Sequence, residues 1–160
     1  MRKIELKKPG KHVIELKKPG KHVIELTHEG EEVEIVGIFE TKDEELMEVE
    51  VIIHHRASST QATTTLKGVA RDKSQLKFKG RIIIDKNCGQ SNSFLTERIL
   101  LLSDQAYGEV TPNLEILTDD VKCSHAATIS NISEENLFYL MSRGLSKKKA
   151  EELIVDGFLR

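Results

Sequence analysis

The sequence IELKKPGKHV at residues 4–13 recurs without change at 14–23, and residues 24–33 read IELTHEGEEV. Each unit joins a short apolar and β-branched stretch, which favours a strand, to a corner, which in the first two units is Pro9-Gly10 and Pro19-Gly20. Consecutive units can pair as antiparallel hairpins, or two units can form one turn of about 20 residues in a flattened β-helix. Both arrangements predict strands throughout the repeat. Identity this complete indicates a recent duplication or an engineered extension.

Strand-like segments continue beyond the repeat at short intervals, and no helical period interrupts them before residue 130. The segments are Val33–Phe39, Leu46–His54, Thr60–Val69, Leu76–Phe78, Arg81–Asp85, Ile99–Ser103, Leu114–Thr118 and Val121–Ile129. Glycines such as Gly80 are interpreted as punctuation between them. Because aromatic residues make up only 4% of the chain, its core must be filled mainly by aliphatic side chains, which suits thin stacked layers.

The pattern changes from strand to helix at residue 131. Ser133 is a candidate N-cap for a first helix, and Gly144 can end that helix. A second helix is predicted over residues 146–156, with Gly157 as its stop. The chain therefore divides into a repeat-built β cap at 1–32, a β core at 33–130 and a helical segment at 131–160.

Charge and composition narrow the classes of partner. Lys and Arg total 24 against 26 for Asp and Glu, so a net charge of -2 gives no general attraction to nucleic acid or to an anionic membrane. No run approaches the roughly 20 apolar residues of a membrane span, and the first residues lack the apolar stretch of a signal peptide. We therefore expect a cytoplasmic protein that works with other proteins.

The stretch Cys123-Ser-His125 is the sharpest candidate for chemistry. Residues two apart in a strand point to the same face, so the thiol and the imidazole could share an iron or sulfur ligand. The alternative is a buried cysteine beside a hydrogen-bonded histidine, because metal sites usually have three or four ligands.

Other candidates are weaker. Cys88 lies in a predicted turn, where partial exposure beside Lys86 would lower its pKa, but we interpret it as a thiol without a role. His54 and His55 are expected to project to opposite faces of a strand, which prevents them from chelating one metal ion. The pair Asp119-Asp120 has no accompanying nucleophile or base and is interpreted as a corner of the fold.

Short blocks follow one another between residues 54 and 158. They read HHRASST (54–60), LKGVA (66–70), FKGRIII (78–84), ILLLSD (99–104), PNLEI (112–116), DDVKCSHAAT (119–128), LFYL (137–140), SRG (142–144) and DGF (156–158). In this order they resemble the SufB/SufD family of iron-sulfur cluster assembly proteins. The stretch at 119–128 is more similar to SufD than to SufB, and the simple blocks are similar to single-copy archaeal members.

This resemblance implies an all-β fold, a right-handed parallel β-helix with two short C-terminal α-helices. It also implies a scaffold subunit with no turnover reaction of its own, which works with the SufC ATPase. Its β-helix would pair with a SufB/SufD-type chain or with a second copy of itself as a homodimer. The resemblance thus predicts the fold, the function and the partners of the chain together.

The resemblance also implies roles for three residues. Cys123 and His125 match the family's cysteine and histidine at a proposed interfacial site for a transient iron-sulfur cluster, so both are candidate metal ligands. In SufB-like members an essential cysteine lies about one and a half rungs earlier. Counting back places Glu97 near that position; its carboxylate can ligate iron but cannot accept persulfide sulfur.

Two other functions compete with the scaffold. The family's large variable N-terminal region is replaced by the repeat, and the chain stops shortly after residues 157–158, so an engineered or truncated β-helix fragment without activity of its own is the first alternative. A β-helix enzyme acting on carbohydrates is less favoured, because such enzymes need several carboxylates or basic groups converging on one open face.

Overall fold

The computed structural model describes residues 2–6 and 10–160, in which ten strands form two five-stranded sheets and two helices follow. One sheet contains β1 (Arg2–Glu5), β3 (Gly20–Leu26), β5 (Leu46–His55), β7 (Gln75–Ile84) and β9 (Tyr107–Ile116), in that order. The other contains β2 (Lys11–Leu16), β4 (Glu32–Thr41), β6 (Gln61–Ala70), β8 (Ser91–Leu101) and β10 (Val121–Asn131). Consecutive strands alternate between the sheets, and the paired strands of each sheet are parallel. The predicted parallel β-helix is therefore confirmed.

The decapeptide repeat builds the first rungs of this solenoid. β1 pairs with β3 so that Ile4 lies opposite Ile24, an offset of 20 residues, and β2 pairs with β4 so that Ile14 lies opposite Ile35. Gly20 has a φ of 102° at its corner, a conformation that favours glycine. Pro9, part of the first predicted corner, lies outside the described residues. The β-helix alternative is therefore confirmed, and the hairpin alternative is wrong.

Later rungs are longer, and three strand boundaries differ from the prediction. β7 runs without interruption through Gly80, which the sequence pattern had treated as a boundary. β8 begins at Ser91 rather than Ile99, and β9 begins at Tyr107 rather than Leu114. The first half of β8 carries polar residues on its inner face, so the apolar alternation that marks a strand is missing there.

Alternating side chains from both sheets fill the interior of the solenoid. Phe39 and Phe78 meet across it edge to face, with ring centroids 6.0 Å apart. At the last rung this packing ends, because among the described residues no further strand pairs with β9 or β10 on the side away from β7 and β8. Leu114 and Ile116, which continue the columns of the fully buried Ile82 and Ile84, are consequently 47% and 37% exposed. We call this apolar surface the open end.

Two helices follow the last strand. α1 (Glu134–Ser142) begins after Ser133, whose side chain accepts a hydrogen bond from the backbone N–H of Asn136, so the predicted N-cap is confirmed. α2 (Lys147–Leu159) begins after Ser146 in the same way. No helix among the described residues is long and apolar enough to cross a membrane.

The predicted end of α2 at Gly157 is wrong, since the helix continues to Leu159. Val155 packs against Val69 and Leu100 on the outer face of the second sheet, with Phe158 at the edge of the same cluster. This packing holds the last turn in helical form in spite of the glycine. The helices therefore cover the flank of the solenoid and leave the open end exposed.

His54 and His55 project to opposite faces of β5, as predicted. His54 lies on the outer face, where its Nε2 is 2.9 Å from Asp85 Oδ1. His55 is fully buried, and its Nδ1 is hydrogen bonded to the hydroxyl of Thr60 at 2.7 Å. Burial, with a smaller contribution from the charge of His54, lowers the pKa of His55 to about 4.

We expect acid to weaken the fold through His55. The unfolded histidine has a pKa of about 6.5 and the folded one of about 4, so the unfolded state binds more protons between these values. The free energy of unfolding should therefore fall by up to about 3 kcal/mol as the pH drops through this range. Urea unfolding at neutral pH and near pH 4 should show a smaller fall for His55→Gln than for the wild type. The control His54→Gln removes only the smaller contribution to the lowered pKa of His55 and should keep most of the wild-type fall. An equal fall in all three chains would contradict the prediction.

Candidate functional site

Cys123 and His125 lie on β10, in the last rung of the second sheet. Both point towards the interior, because Cys123 lies opposite the buried Ser93 and His125 lies opposite the buried Leu95 on β8. Cys123 also packs against the main hydrophobic core. The two-residue spacing therefore places the thiol and the imidazole on one face, beside the open end.

Glu97 on β8 contacts His125 directly. Its Oε2 lies 2.6 Å from Nε2 of His125, and the two side chains are 0% and 3% exposed. The strand register places Ala127 rather than His125 opposite Glu97, so the carboxylate reaches the imidazole diagonally past a small side chain. The sequence predicted each of these residues as a candidate but did not predict their contact.

Space for this pair comes from Gly80 on the facing sheet. A Cβ atom at Gly80 would lie 2.8 Å from Cε1 of His125, 3.0 Å from Oε1 of Glu97 and 2.4 Å from Cδ2 of Leu95. Any larger residue would therefore displace the site. Sequence reasoning missed this role, although a glycine inside a strand often marks a close approach and was the available signal.

Two atoms of the pair remain open to a further contact. Among the described residues, neither Oε1 of Glu97 nor Nδ1 of His125 has a hydrogen-bond partner, although both are buried. Burial raises the pKa of the Cys123 thiol, which favours its protonated form in this chain at neutral pH. Polar atoms that are buried without a partner cost free energy unless a ligand satisfies them.

These donors do not make a closed metal site by themselves. Within residues 2–6 and 10–160, no group of three or more His, Cys, Asp or Glu side chains is arranged to hold a metal ion. Structural sites for metals such as zinc usually take four protein ligands. The described residues of one chain therefore bring together fewer donors than such a site takes.

The remaining candidates stay outside the site. Cys88 is buried, with its thiol 3.7 Å from the carbonyl oxygen of Lys86, so the predicted partial exposure is wrong. Burial, with a smaller contribution from Asp85, raises the pKa of Cys88 rather than lowering it. Residues 119–120 form the corner between β9 and β10, as predicted. Cys88 is thus an internal control for Cys123.

Apolar side chains surround the site at the open end. Besides Leu114 and Ile116, Leu117 is 49% exposed and Ile129 is 44% exposed. β9 and β10 also present backbone groups that have no neighbouring strand among the described residues. An uncovered edge of this kind favours pairing with another chain.

Comparisons with known proteins agree with this architecture. Residues 20–158 match the family model of the SUF system FeS cluster assembly, SufBD core domain. An iron-sulfur cluster assembly SufBD family protein of Pyrococcus horikoshii is 39% identical over 107 residues, which are 67% of this chain and 24% of that protein. The iron-sulfur cluster assembly protein SufD of Bacillus subtilis is 36% identical over 107 residues, 67% of this chain and 24% of that protein.

SufD of Escherichia coli is 32% identical over 114 residues, which are 71% of this chain and 27% of that protein. The matched stretch thus spans about a quarter of the length of each of these three relatives. The family model, by contrast, covers most of this chain, from the first residue of β3 to the last turn of α2. The chain therefore belongs to the SufB/SufD family of iron-sulfur cluster assembly proteins.

Proposed function

We propose that this chain is a cytoplasmic scaffold subunit of SUF-type iron-sulfur cluster assembly, with no turnover reaction of its own. The observation that carries the proposal is the placement of Cys123 and His125 side by side at the open end of the solenoid, with Glu97 behind them. A nascent cluster is the cargo of such a scaffold. The names of the relatives, iron-sulfur cluster assembly proteins, support this assignment.

The chemistry of the donors suits iron. Thiolate sulfur binds iron-sulfur clusters, imidazole binds iron, and a carboxylate can add an oxygen ligand. One chain supplies Cys123 and His125, and a symmetric pair of chains supplies each of them twice, which makes four donors. We therefore propose that the site is completed by a second copy of this chain or by another SufB/SufD-type chain at the open end.

A SufC-type ATPase is the second partner in this proposal. α1 and α2 carry large apolar side chains that remain exposed on the flank of the solenoid, with Phe138 at 75%, Tyr139 at 56% and Leu153 at 52%. These side chains belong to the helices, whereas the side chains of the open end belong to the last rung, so we propose that the ATPase and the second scaffold chain use different surfaces. The ATPase would hydrolyse ATP, a reaction that the proposed scaffold does not catalyse itself.

Anaerobic reconstitution with ferrous iron and sulfide, followed by visible absorption, tests the function. We expect the wild type to gain cluster absorbance and Cys123→Ser to retain about a tenth of it or less, because the sulfur ligand is gone. The matched control is Cys88→Ser, which removes the only other cysteine and should keep wild-type absorbance.

Three results would contradict the proposal in different ways. Full absorbance in Cys123→Ser, with circular dichroism unchanged, would show that the Cys123 thiol is not a ligand of the cluster. An equal loss in Cys88→Ser would indicate unspecific binding by thiols. No absorbance in the wild type, alone or with a SufB/SufD-type partner, would favour the inert β-helix fragment.

A further inference from the structure

We propose that Glu97 is a positioning residue, which fixes the imidazole of His125 in the tautomer with hydrogen on Nε2 and so presents Nδ1 as the free lone pair of the site. Whether this lone pair binds iron depends on the proposed function. The tautomer itself is a property of this chain and can be measured without iron.

The hydrogen bond between the two side chains sets the tautomer. In the proposed arrangement the carboxylate of Glu97 is the acceptor, and the ring nitrogen that lies 2.6 Å from its Oε2 donates the hydrogen. In a neutral imidazole the other nitrogen then carries a lone pair. That nitrogen, Nδ1, is buried and has no partner in the part of the chain that the structure describes.

The surroundings of the ring favour this orientation. Cε1 of His125 lies close to Gly80, where a Cβ atom would be only 2.8 Å away, and Oε1 of Glu97 lies against the same glycine. A flipped ring would place a carbon atom against the carboxylate and lose the hydrogen bond. The close approach to Gly80 and the hydrogen bond to Glu97 therefore keep the imidazole in one orientation.

The tautomer has a chemical consequence for the site. Metal-binding histidines commonly donate their second ring N–H to a carboxylate, which fixes the ring and leaves the other nitrogen to the metal. Nδ1 is bonded to the ring atom nearest the backbone, so its lone pair lies close to β10. Cys123 projects from the same strand two residues earlier, and the two donor atoms can thus act on one ligand.

Magnetic resonance of the metal-free chain with isotope-labelled histidine tests the inference. We expect His125, assigned by comparison with His125→Gln, to carry hydrogen on Nε2 with a strongly downfield proton signal. Glu97→Ala should lose this downfield signal. Glu97→Gln should keep hydrogen on Nε2 with a smaller downfield shift, because a neutral amide oxygen accepts a weaker hydrogen bond.

The chain contains a matched control in a second buried glutamate, Glu31, whose Oε1 lies 2.9 Å from Nδ1 of His28. Glu31→Gln should leave the His125 signals unchanged. Hydrogen on Nδ1 of His125 in the wild type, or a downfield signal that survives Glu97→Ala, would overturn the inference. Because no iron is present, this result is independent of the reconstitution experiment: a fixed tautomer with no cluster uptake would reject the proposed function and retain the positioning role.

Discussion

His125→Leu should lower the free energy of unfolding by about 3 kcal/mol, because it leaves the buried carboxylate of Glu97 without its partner. Urea titration followed by circular dichroism, at one chain concentration for all variants, measures the loss. The double variant Glu97→Leu/His125→Leu should recover most of it, since apolar residues of similar volume often replace a buried polar pair without loss.

A second pair provides the control for this prediction. Glu31 is fully buried like Glu97, but besides His28 it accepts hydrogen bonds from the backbone N–H groups of Thr27 and His28. His28 itself is half exposed. His28→Leu should therefore cost less than about 1 kcal/mol. Equal losses in both histidine variants, or a double variant less stable than His125→Leu, would contradict the prediction that the loss comes from a buried carboxylate left without its partner.

Leu114→Glu should convert a dimer of this chain into a monomer. Leu114 is 47% exposed at the open end, where we propose that a second copy covers it. In a symmetric dimer each substitution occurs twice, and burial of an unpaired carboxylate costs several kcal/mol. The dissociation constant should therefore rise by roughly a thousandfold, which light scattering over a range of concentrations would detect.

The control for the dimer is Val13→Glu. Val13 is 71% exposed on β2, on the outer face and at the opposite end of the solenoid, so this variant should remain dimeric. A wild type that stays monomeric at high concentration would contradict the homodimer and leave a different SufB/SufD-type chain as the partner.

The strands and corners of the repeat could be predicted from local chemistry, but their pairing could not. Hairpins and rungs bury the same isoleucines, and only the long-range register of Ile4 with Ile24 distinguishes them. Some corners were also hidden, because Asp43 and Asp72 adopt positive φ without a glycine to mark them. Local patterns thus identified the elements, whereas their order in space depended on contacts between distant residues.

The candidate site could be predicted from the sequence to a similar extent. The two-residue spacing of Cys123 and His125 was sufficient to place them on one face. The contact between Glu97 and His125 depends on a diagonal reach between rungs, and the opening at Gly80 depends on the facing sheet. Neither has a signature in one stretch of sequence, so both became visible only in the folded chain.

The decapeptide rungs have a consequence for how such a chain can evolve. One unit makes half a turn, and each rung contacts only its neighbours. Duplication or deletion of a unit at this end therefore adds or removes a strand without disturbing the contacts of later rungs. The number of units can therefore change at one end of the solenoid while the rungs that carry Cys123 and His125 keep their contacts at the other end.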